Sequence, residues 1–237
     1  MGKKLDIPKG KLLILIENII FIMGGISYKL FYKFLIKPLS FILNRLYFGW
    51  IAANFTSVKF PFFILYPSFI KGSQYIFIGK NFRASHGFRI EAWDNYLGYK
   101  YHPKIIIGNN VSFSDNCHVG AISSISIGDN VLFGSNIYIT DHYHGTVDAV
   151  YQDLPPISRP LYSKGDVIIE HNVWVGDGVV ILPNVRIGHS CIIGANSVVT
   201  KSFPPKSVIG GSPARIIKEY LENNCILPSS VSSHRGK

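Results

Sequence analysis

The segment Thr140 to Gly145, Thr-Asp-His-Tyr-His-Gly, brings a carboxylate and two histidines together. Asp141 and His142 are adjacent, and His144 follows two positions later. An imidazole titrates near neutral pH, so a histidine with a partner that sets its tautomer is suited to general acid–base catalysis. The segment therefore predicts a proton-transfer site. The alternative is that one or both histidines only cap the loop that begins here.

The chain on both sides of this segment repeats with a period of six. From Ile169 to Pro204 it reads IEHNVW, VGDGVV, ILPNVR, IGHSCI, IGANSV and VTKSFP. Earlier blocks are IGNNVS, FSDNCH and VGAISS from Ile107, and IGDNVL, FGSNIY and ITDHYH from Ile127. Two extra residues, Ile125 and Ser126, separate these two groups, which predicts a bulge or a widened corner.

A period of six is typical of a parallel β-helix of triangular cross-section, in which each block forms one short strand and three blocks complete a coil. The aliphatic residue that opens a block points inward and stacks on its equivalent in the next coil. Gly and Asn form the corners, because they tolerate positive φ. A β-sandwich would show alternation with period two, and turns spaced by roughly 8 to 12 residues. The predicted fold is therefore all-β.

The repeat stops after Ile139 and resumes at Val167. The intervening excursion, residues 140–166, contains three prolines and is too long to be a corner. Long loops of this kind are usually functional. The Asp-His-Tyr-His motif thus stands where a rigid wall gives way to an open loop, which is the placing that a catalytic histidine needs.

A second departure from the repeat, EAWDNYLGYKYHP at residues 91–103, carries one tryptophan and three tyrosines. Aromatic rings combine an apolar body with polar tips, so Trp93 and its neighbours could stack on the faces of sugars. The alternative is a loop folded against the wall of the helix.

The positive charge is concentrated near the N-terminus. Residues 1–60 hold nine of the 24 Lys and Arg residues but only two of the 14 acids. A nucleic-acid-binding protein would instead need a basic stripe on the folded face, so this class is excluded. The three cysteines, Cys117, Cys191 and Cys225, have no disulfide or metal spacing, which favours a reducing compartment.

The N-terminal region predicts two amphipathic helices, residues 11–35 with a bend at Gly24 and Gly25, and residues 39–50 after Pro38. Glu17 and Asn18 interrupt the apolar run, which is too short for a membrane span of about 20 residues. Such helices can lie on an anionic inner-membrane surface with their lysines toward lipid phosphate. The alternative is that they pack on the β-helix or within an oligomer.

Further motifs are Asn-Val-Trp-Val-Gly at 172–176, Val-Val-Thr-Lys at 198–201 and Gly-Gly-Ser-Pro-Ala-Arg at 210–215. With the hexads and the histidine motif, they make the chain resemble the left-handed β-helix, hexapeptide-repeat O-acyltransferases. This family contains galactoside and maltose acetyltransferases and the O-acetyltransferases of bacterial lipopolysaccharide and capsule synthesis. The resemblance implies a homotrimer in the bacterial cytoplasm, with active sites between subunits, acetyl-CoA as the donor and no metal.

The resemblance implies that His142 is the general base, which takes the proton of an acceptor hydroxyl as its oxygen attacks the thioester carbonyl. Asp141 would orient the imidazole, although galactoside-type relatives lack an acid there. Ser114 stands where those relatives carry an active-site Asn, so the acceptor pocket should differ. The expected acceptor-binding residues are Asn116, Ser114, His144 and Trp93.

The donor side is expected to use residues that match the remaining motifs. The pantetheine arm would lie in a groove between subunits, and its nucleotide end would lie near a threonine and two cations, which suit phosphate oxygens. The expected cofactor-binding residues are Trp174, Gly176, Ala195, Thr200, Lys201 and Arg215.

The predicted organisation is an N-terminal helical arm (1–60), a β-helix acyltransferase domain (61–213), and a C-terminal capping helix and tail (214–237). The expected activity is acetyl transfer to a sugar hydroxyl of a surface-polysaccharide precursor, which could be lipid-linked. The alternatives are a small soluble sugar, another hydroxyl or amino compound, or a non-catalytic scaffold. A γ-type carbonic anhydrase is excluded, because His118, His142 and His144 lack the spacing of its three zinc ligands.

Overall fold

The computed structural model describes residues 9–146, 151 and 153–219, and the chain divides into two units, residues 1–49 and 50–237. The division into arm, acyltransferase domain and C-terminal cap stays a prediction. In the described residues, helix α1 spans Lys9–Ser27, a wider π-helical segment spans Tyr28–Ile36, and helix α2 spans Lys37–Ala52.

The N-terminal helix differs from the prediction in where it departs from regular geometry. Gly24 and Gly25 lie inside α1, and Pro38 lies in the first turn of α2 without ending the helix. The irregular turns come just before the proline, where the Lys37 N–H donates to Tyr32 O, five residues back. Because proline has no N–H, the regular i to i−4 ladder is interrupted there in any case.

The continuous helix 13–52 has 40 residues and is long and apolar enough to cross a membrane, by length and composition alone. The prediction that this region is too short and too interrupted for a span was therefore wrong, because Glu17 and Pro38 do not break the helix. Large apolar side chains along it, among them Phe21, Phe31 and Phe34, are exposed.

The second unit is a β-helix built from three sheets, which we call faces A, B and C and which are parallel except for the last strand of face B. Face A contains β1 (Ser57–Val58), β4 (Ile76–Ile78), β9 (Lys104–Ile107), β12 (Ser124–Ile127), β17 (Val167–Ile169) and β20 (Val185–Ile187). Face B contains β2 (Phe62–Ile64), β5 (Phe82–Ala84), β10 (Ser112–Phe113), β13 (Leu132–Phe133), β18 (Trp174–Val175), β21 (Ile192–Ile193), β23 (Ser207–Gly210) and β24 (Arg215–Glu219). Face C contains β3 (Ser68–Lys71), β6 (Phe88–Ala92), β11 (His118–Ala121), β14 (Tyr138–Thr140), β19 (Val180–Ile181) and β22 (Val198–Val199).

The core is the column of inward residues that the hexads predicted. Ile169 pairs with Ile187 one coil on, and Val175 pairs with Ile193. All four side chains are at most 1% exposed. Burying an aliphatic side chain of this size stabilises the fold by roughly 1.5–3 kcal/mol, so the repeated column holds the wall rigid coil by coil.

Asparagines form the predicted corners between faces A and B. Asn81, Asn110, Asn130 and Asn172 all have positive φ. Their side-chain amides form a ladder along the helix axis, with N···O distances of 3.0, 2.8 and 3.0 Å. The ladder satisfies amides that would otherwise be unpaired at each turn of the wall.

Every insertion in the coils falls at the corner where face C leads to the next face A, which we call the C–A corner. A regular coil advances 18 residues, from Val167 to its partner Val185. The coil from Ile105 to Ile125 advances 20. The coil from Ile76 to Ile105 advances 29, and that from Ile125 to Val167 advances 42. Both long excursions therefore leave the wall from the same corner.

Each excursion contains a short antiparallel hairpin, which the sequence did not predict. The first is formed by β7 (Asn95–Tyr96) and β8 (Tyr99–Lys100), and the second by β15 (Tyr143–His144) and β16 (Leu161–Tyr162). The Tyr96 hydroxyl donates to Ile157 O at 2.8 Å, and the Tyr101 hydroxyl donates to Leu161 O at 3.1 Å. The two excursions thus brace each other above the corner.

The predicted C-terminal capping helix is wrong for the residues described. Arg215–Glu219 form strand β24, which pairs antiparallel with β23. Without that partner β23 would be an open edge of face B with unpaired backbone groups, so the returning strand covers it. Residues 220–237, with Cys225 and the predicted C-terminal tail, lie outside the described residues.

Candidate active site

His142 follows β14 at the C–A corner and is held by its neighbour in sequence. Its Nδ1 lies 2.9 Å from Oδ1 of Asp141. The Asp141 side chain is 0% exposed, whereas that of His142 is 13% exposed. A carboxylate only accepts hydrogen bonds, so Nδ1–H is the donor and Nε2 keeps the lone pair that a base requires.

The widened corner of the preceding coil supplies the partners of Asp141. The Ile122 N–H donates to Oδ1 at 2.9 Å, and the Ser123 N–H donates to Oδ2 at 2.7 Å. The predicted insertion exists but lies a few residues earlier than Ile125 and Ser126, because Ile125 is an inward residue of β12 that pairs with Ile105. The extra residues thus position the carboxylate that orients His142.

His142 borders a cavity of about 200 Å³ on the outer side of face C. The ladder register places Gly120 at its centre, paired with Glu91 in one neighbouring coil and Thr140 in the other. The cavity is lined by Arg89, Glu91, Trp93, Tyr96, His118, Gly120, Tyr138, His142, His144 and Leu161.

Glu91 is a buried acid in this cavity that sequence reasoning missed. Its side chain is 2% exposed, and its Oε2 accepts from Arg89 Nε at 2.5 Å and from His118 Nε2 at 2.9 Å. Burial opposes ionisation, but the hydrogen bonds from His118 and Arg89 outweigh it and lower the pKa of Glu91. A signal was present, since aligning inward Ile90 with inward Val119 places Glu91 beside Gly120 and Arg89 beside His118.

Two of the predicted acceptor residues line the same cavity as His142, and two do not. Trp93 lines the cavity, with Lys71 Nζ 3.0 Å from its ring centroid. His144 is exposed and also lines it, 5.5 Å from the ring of Tyr96. Ser114 and Asn116 instead lie where face B turns into face C; Ser114 Oγ donates to Phe133 O, and Asn116 is an exposed corner residue with a φ of 57°.

The predicted donor residues line the outside of the later coils, away from this cavity within the described chain. Trp174 is 53% exposed and points outward from face B. Gly176 and Ala195 stack where face B turns into face C, and a Cβ on Gly176 would lie 2.7 Å from Ala195 N. The other three are exposed; Thr200 and Lys201 follow β22, and Arg215 begins β24.

A larger cavity, of about 420 Å³, lies on the second excursion, and His144 borders it as well. Its lining includes Tyr143, Tyr162 and Lys164 but not His142, so the smaller cavity holds the candidate base. In residues 9–146, 151 and 153–219, no group of three or more His, Cys, Asp or Glu side chains is arranged to hold a metal ion.

Comparison with known proteins places this chain among the hexapeptide-repeat transferases. The family model for bacterial transferase hexapeptide (six repeats) matches residues 166–201. WbbJ of Escherichia coli (strain K12), provisionally named a lipopolysaccharide biosynthesis O-acetyl transferase, is 37% identical over 161 residues, which are 66% of this chain and 78% of WbbJ. The galactoside O-acetyltransferase of Escherichia coli (strain K12) is 35% identical over 131 residues, 53% of this chain and 59% of that enzyme.

A solved structure supports the fold. The S84A mutant of AntD, an N-acyltransferase from Bacillus cereus, in complex with dTDP-4-amino-4,6-dideoxyglucose and coenzyme A, superposes with a TM-score of 0.59 at 22% identity. The match covers 72% of this chain and 87% of AntD. Together with the hexapeptide repeats, it identifies the three-faced coil as the left-handed β-helix of such transferases.

Proposed function

This chain belongs to the bacterial hexapeptide-repeat acetyltransferases, and from that premise we propose that it transfers an acetyl group from acetyl-CoA to a sugar hydroxyl of a surface-polysaccharide precursor. The observation that carries the proposal is the Asp141–His142 pair, in which the Asp141 contact leaves the lone pair of the imidazole on Nε2 and His142 lines a cavity with aromatic walls. The similarity to WbbJ supports a polysaccharide acceptor.

In the proposed reaction, His142 Nε2 takes the proton of the acceptor hydroxyl while the hydroxyl oxygen attacks the thioester carbonyl. The new C–O bond forms, the C–S bond breaks, and the imidazolium returns its proton to the leaving thiolate. Asp141 stabilises the imidazolium through Nδ1–H, because the carboxylate is already buried and fixed by two backbone amides. General-base assistance of this kind contributes about 100- to 10,000-fold in rate.

We further propose that the active enzyme is a homotrimer and that acetyl-CoA lies in a groove between neighbouring subunits. The exposed Trp174 and the closely stacked Gly176 and Ala195 would border the pantetheine arm. Thr200, Lys201 and Arg215 would contact the phosphates. Since these residues lie away from the His142 cavity of their own chain, a neighbouring subunit would bring donor and base together. Asn116 and Ser114 would reach the acceptor in the same way.

The first experiment measures acetyl transfer by the purified full chain. Lipid-linked oligosaccharide from the source cell and p-nitrophenyl β-galactoside serve as parallel acceptors, with thiol release and glycan mass as readouts. We expect the lipid-linked glycan to gain an acetyl group, because the N-terminal helix would bring the enzyme to its membrane. Acetylation of the soluble galactoside alone would favour the alternative, a small soluble acceptor. Failure to bind CoA would favour a non-catalytic scaffold.

A membrane-contacting N-terminal helix is the second part of the proposal. Exposed apolar side chains run along residues 13–46, and residues 1–60 carry nine cations against two acids. Such a helix inserts its apolar side chains at the interface while its cations contact anionic headgroups. The acceptor's lipid carrier would then lie in the same plane as the enzyme.

Vesicle co-sedimentation tests this contact. The full chain should bind vesicles rich in phosphatidylglycerol more strongly than vesicles of phosphatidylcholine alone. Replacing Phe21 and Phe34 by Asp should lower the partition coefficient at least about tenfold, since burying one such side chain contributes roughly 1.5–3 kcal/mol. Phe60→Asp, at an exposed phenylalanine outside the helix, is the matched control. Equal binding by all variants would refute the contact, and binding that resists an alkaline wash would indicate a span.

A further inference from the structure

Two carboxylate–imidazole pairs lie on either side of Gly120. One is Asp141–His142, which follows the paired strand of one neighbouring coil; the other joins Glu91, in the opposite neighbouring coil, to His118 of the strand that contains Gly120. A Cβ on Gly120 would lie 3.5 Å from His118 Nε2 and 3.5 Å from His142 Cε1. The missing side chain thus leaves a gap that both imidazoles border.

The two carboxylates are paired in different ways. Both oxygens of Asp141 accept hydrogen bonds from backbone amides, as expected of a buried structural acid. Glu91 is equally buried, but both of its partners bind Oε2, and Oε1 has no hydrogen-bond partner in the described part of the chain. A buried charge with one unpaired oxygen is costly, so stability alone does not explain its presence. What the carboxylate does achieve is to fix the ring of His118.

Fixing that ring determines which nitrogen a ligand can use. Because Nε2–H of His118 donates to the Glu91 carboxylate, the neutral ring keeps its lone pair on Nδ1. The His118 side chain is 28% exposed and lines the same cavity as His142. Two imidazoles with fixed tautomers therefore line the cavity, and each keeps one nitrogen lone pair as a hydrogen-bond acceptor, Nδ1 in His118 and Nε2 in His142.

We propose that the gap over Gly120 is the acceptor subsite, and that it selects sugars with a second hydroxyl beside the reacting one. The reacting hydroxyl binds Nε2 of His142, and its neighbour binds His118. Glu91 does not touch the acceptor; it is a positioning residue that acts through His118. Tyr138, whose ring lies 5.1 Å from that of His118, forms a wall of the subsite. This inference rests on the proposed acetyl transfer.

The contrary interpretation is that Glu91 belongs to a surface ion-pair cluster with no role in binding. The chain offers a matched pair on face A, where Arg186 contacts Glu170 and where the backbone N–H of His189 also donates to Glu170. Hydrogen bonds from His189 and Arg186 outweigh burial and lower the pKa of Glu170, as happens at Glu91. Glu170→Gln is therefore the control for loss of a comparable pair whose residues do not line the cavity.

The test compares His118→Ala, Gly120→Ala, Glu91→Gln and Glu170→Gln with wild type. Acceptors are the lipid-linked oligosaccharide, p-nitrophenyl β-galactoside, and deoxy forms that lack the hydroxyl next to the acetylated one. We expect His118→Ala and Gly120→Ala to raise the KM for the acceptor about tenfold, as for one lost hydrogen bond. In both variants, the KM for acetyl-CoA and the Tm should equal those of the Glu170→Gln control. Glu91→Gln should lie between, because its amide oxygen still accepts from Nε2–H.

The deoxy acceptors give a readout that a structural role would not affect. With the deoxy acceptor, the acceptor KM of wild type should rise about tenfold. The acceptor KM of His118→Ala should not rise further, since the contact is already absent. An unchanged acceptor KM in His118→Ala overturns the inference. The inference is also overturned if His118→Ala raises the KM equally for an acceptor and for its deoxy form. If wild type acetylates none of the acceptors, the proposed function fails first and this inference with it.

Discussion

Replacing His142 by alanine is expected to lower kcat/KM for acetyl transfer by about 100- to 10,000-fold, the range that general-base assistance provides. An unactivated hydroxyl is a weak nucleophile, and Nε2 of this residue is the lone pair that the Asp141 contact leaves available. CoA binding should stay unchanged, because the proposed donor residues lie on later coils. Thiol release and CoA titration measure the two effects separately.

His171→Ala is the matched control for this loss. His171 stacks on His189 at the turn between faces A and B, with ring centroids 4.9 Å apart, and it does not line the cavity. Added imidazole should restore part of the activity of His142→Ala but should not affect the control. A His142→Ala enzyme with activity close to wild type would show that another group is the base.

The rigid part of the fold was predictable because its signal is local. Each inward aliphatic residue recurs six positions later, and the burial of Ile169, Val175 and Ile181, one on each face, follows from that period alone. The predicted domain, 61–213, includes most of the first coil, Ser57 to Lys71, but no hexads were identified in it, because phenylalanine and proline replace the Ile-Gly openings there. Its strands are set by pairing with the next coil, which a hexad search cannot detect.

The contrast between local signals and contacts between coils also explains which parts of the candidate site could be predicted. Asp141 and His142 are neighbours in sequence, so their pairing could be expected from the motif. The contact between Glu91 and His118 spans 27 residues and depends on the length of the aromatic excursion between them. Strand β24 was likewise missed, because its edge pairing with β23 is a tertiary contact without a local period.

Asp141→Asn is expected to lower kcat about 100-fold, at the lower end of what base catalysis provides, and also to destabilise the fold. The carboxylate accepts from three donors, the N–H groups of Ile122 and Ser123 and Nδ1–H of His142. An asparagine offers one acceptor oxygen, so its NH₂ group must face at least one of these donors. If the NH₂ group faces the Ser123 N–H, that N–H loses its partner; if it faces Nδ1 of His142 and the Ile122 N–H, the imidazole loses its fixed tautomer as well. In both orientations the imidazolium loses its charged partner, and an unpaired backbone N–H costs about 1–3 kcal/mol.

Steady-state kinetics and urea unfolding separate these two consequences. Asp166→Asn is the control at the same corner, because Asp166 is exposed and, among the described residues, its carboxylate accepts one hydrogen bond, from the Ser123 hydroxyl at 3.0 Å. The control should retain both kcat and the free energy of unfolding. If Asp141→Asn loses stability but keeps its kcat, Asp141 only caps the widened corner. A loss of kcat that persists in the folded variant makes Asp141 the residue through which this corner determines the protonation state of His142.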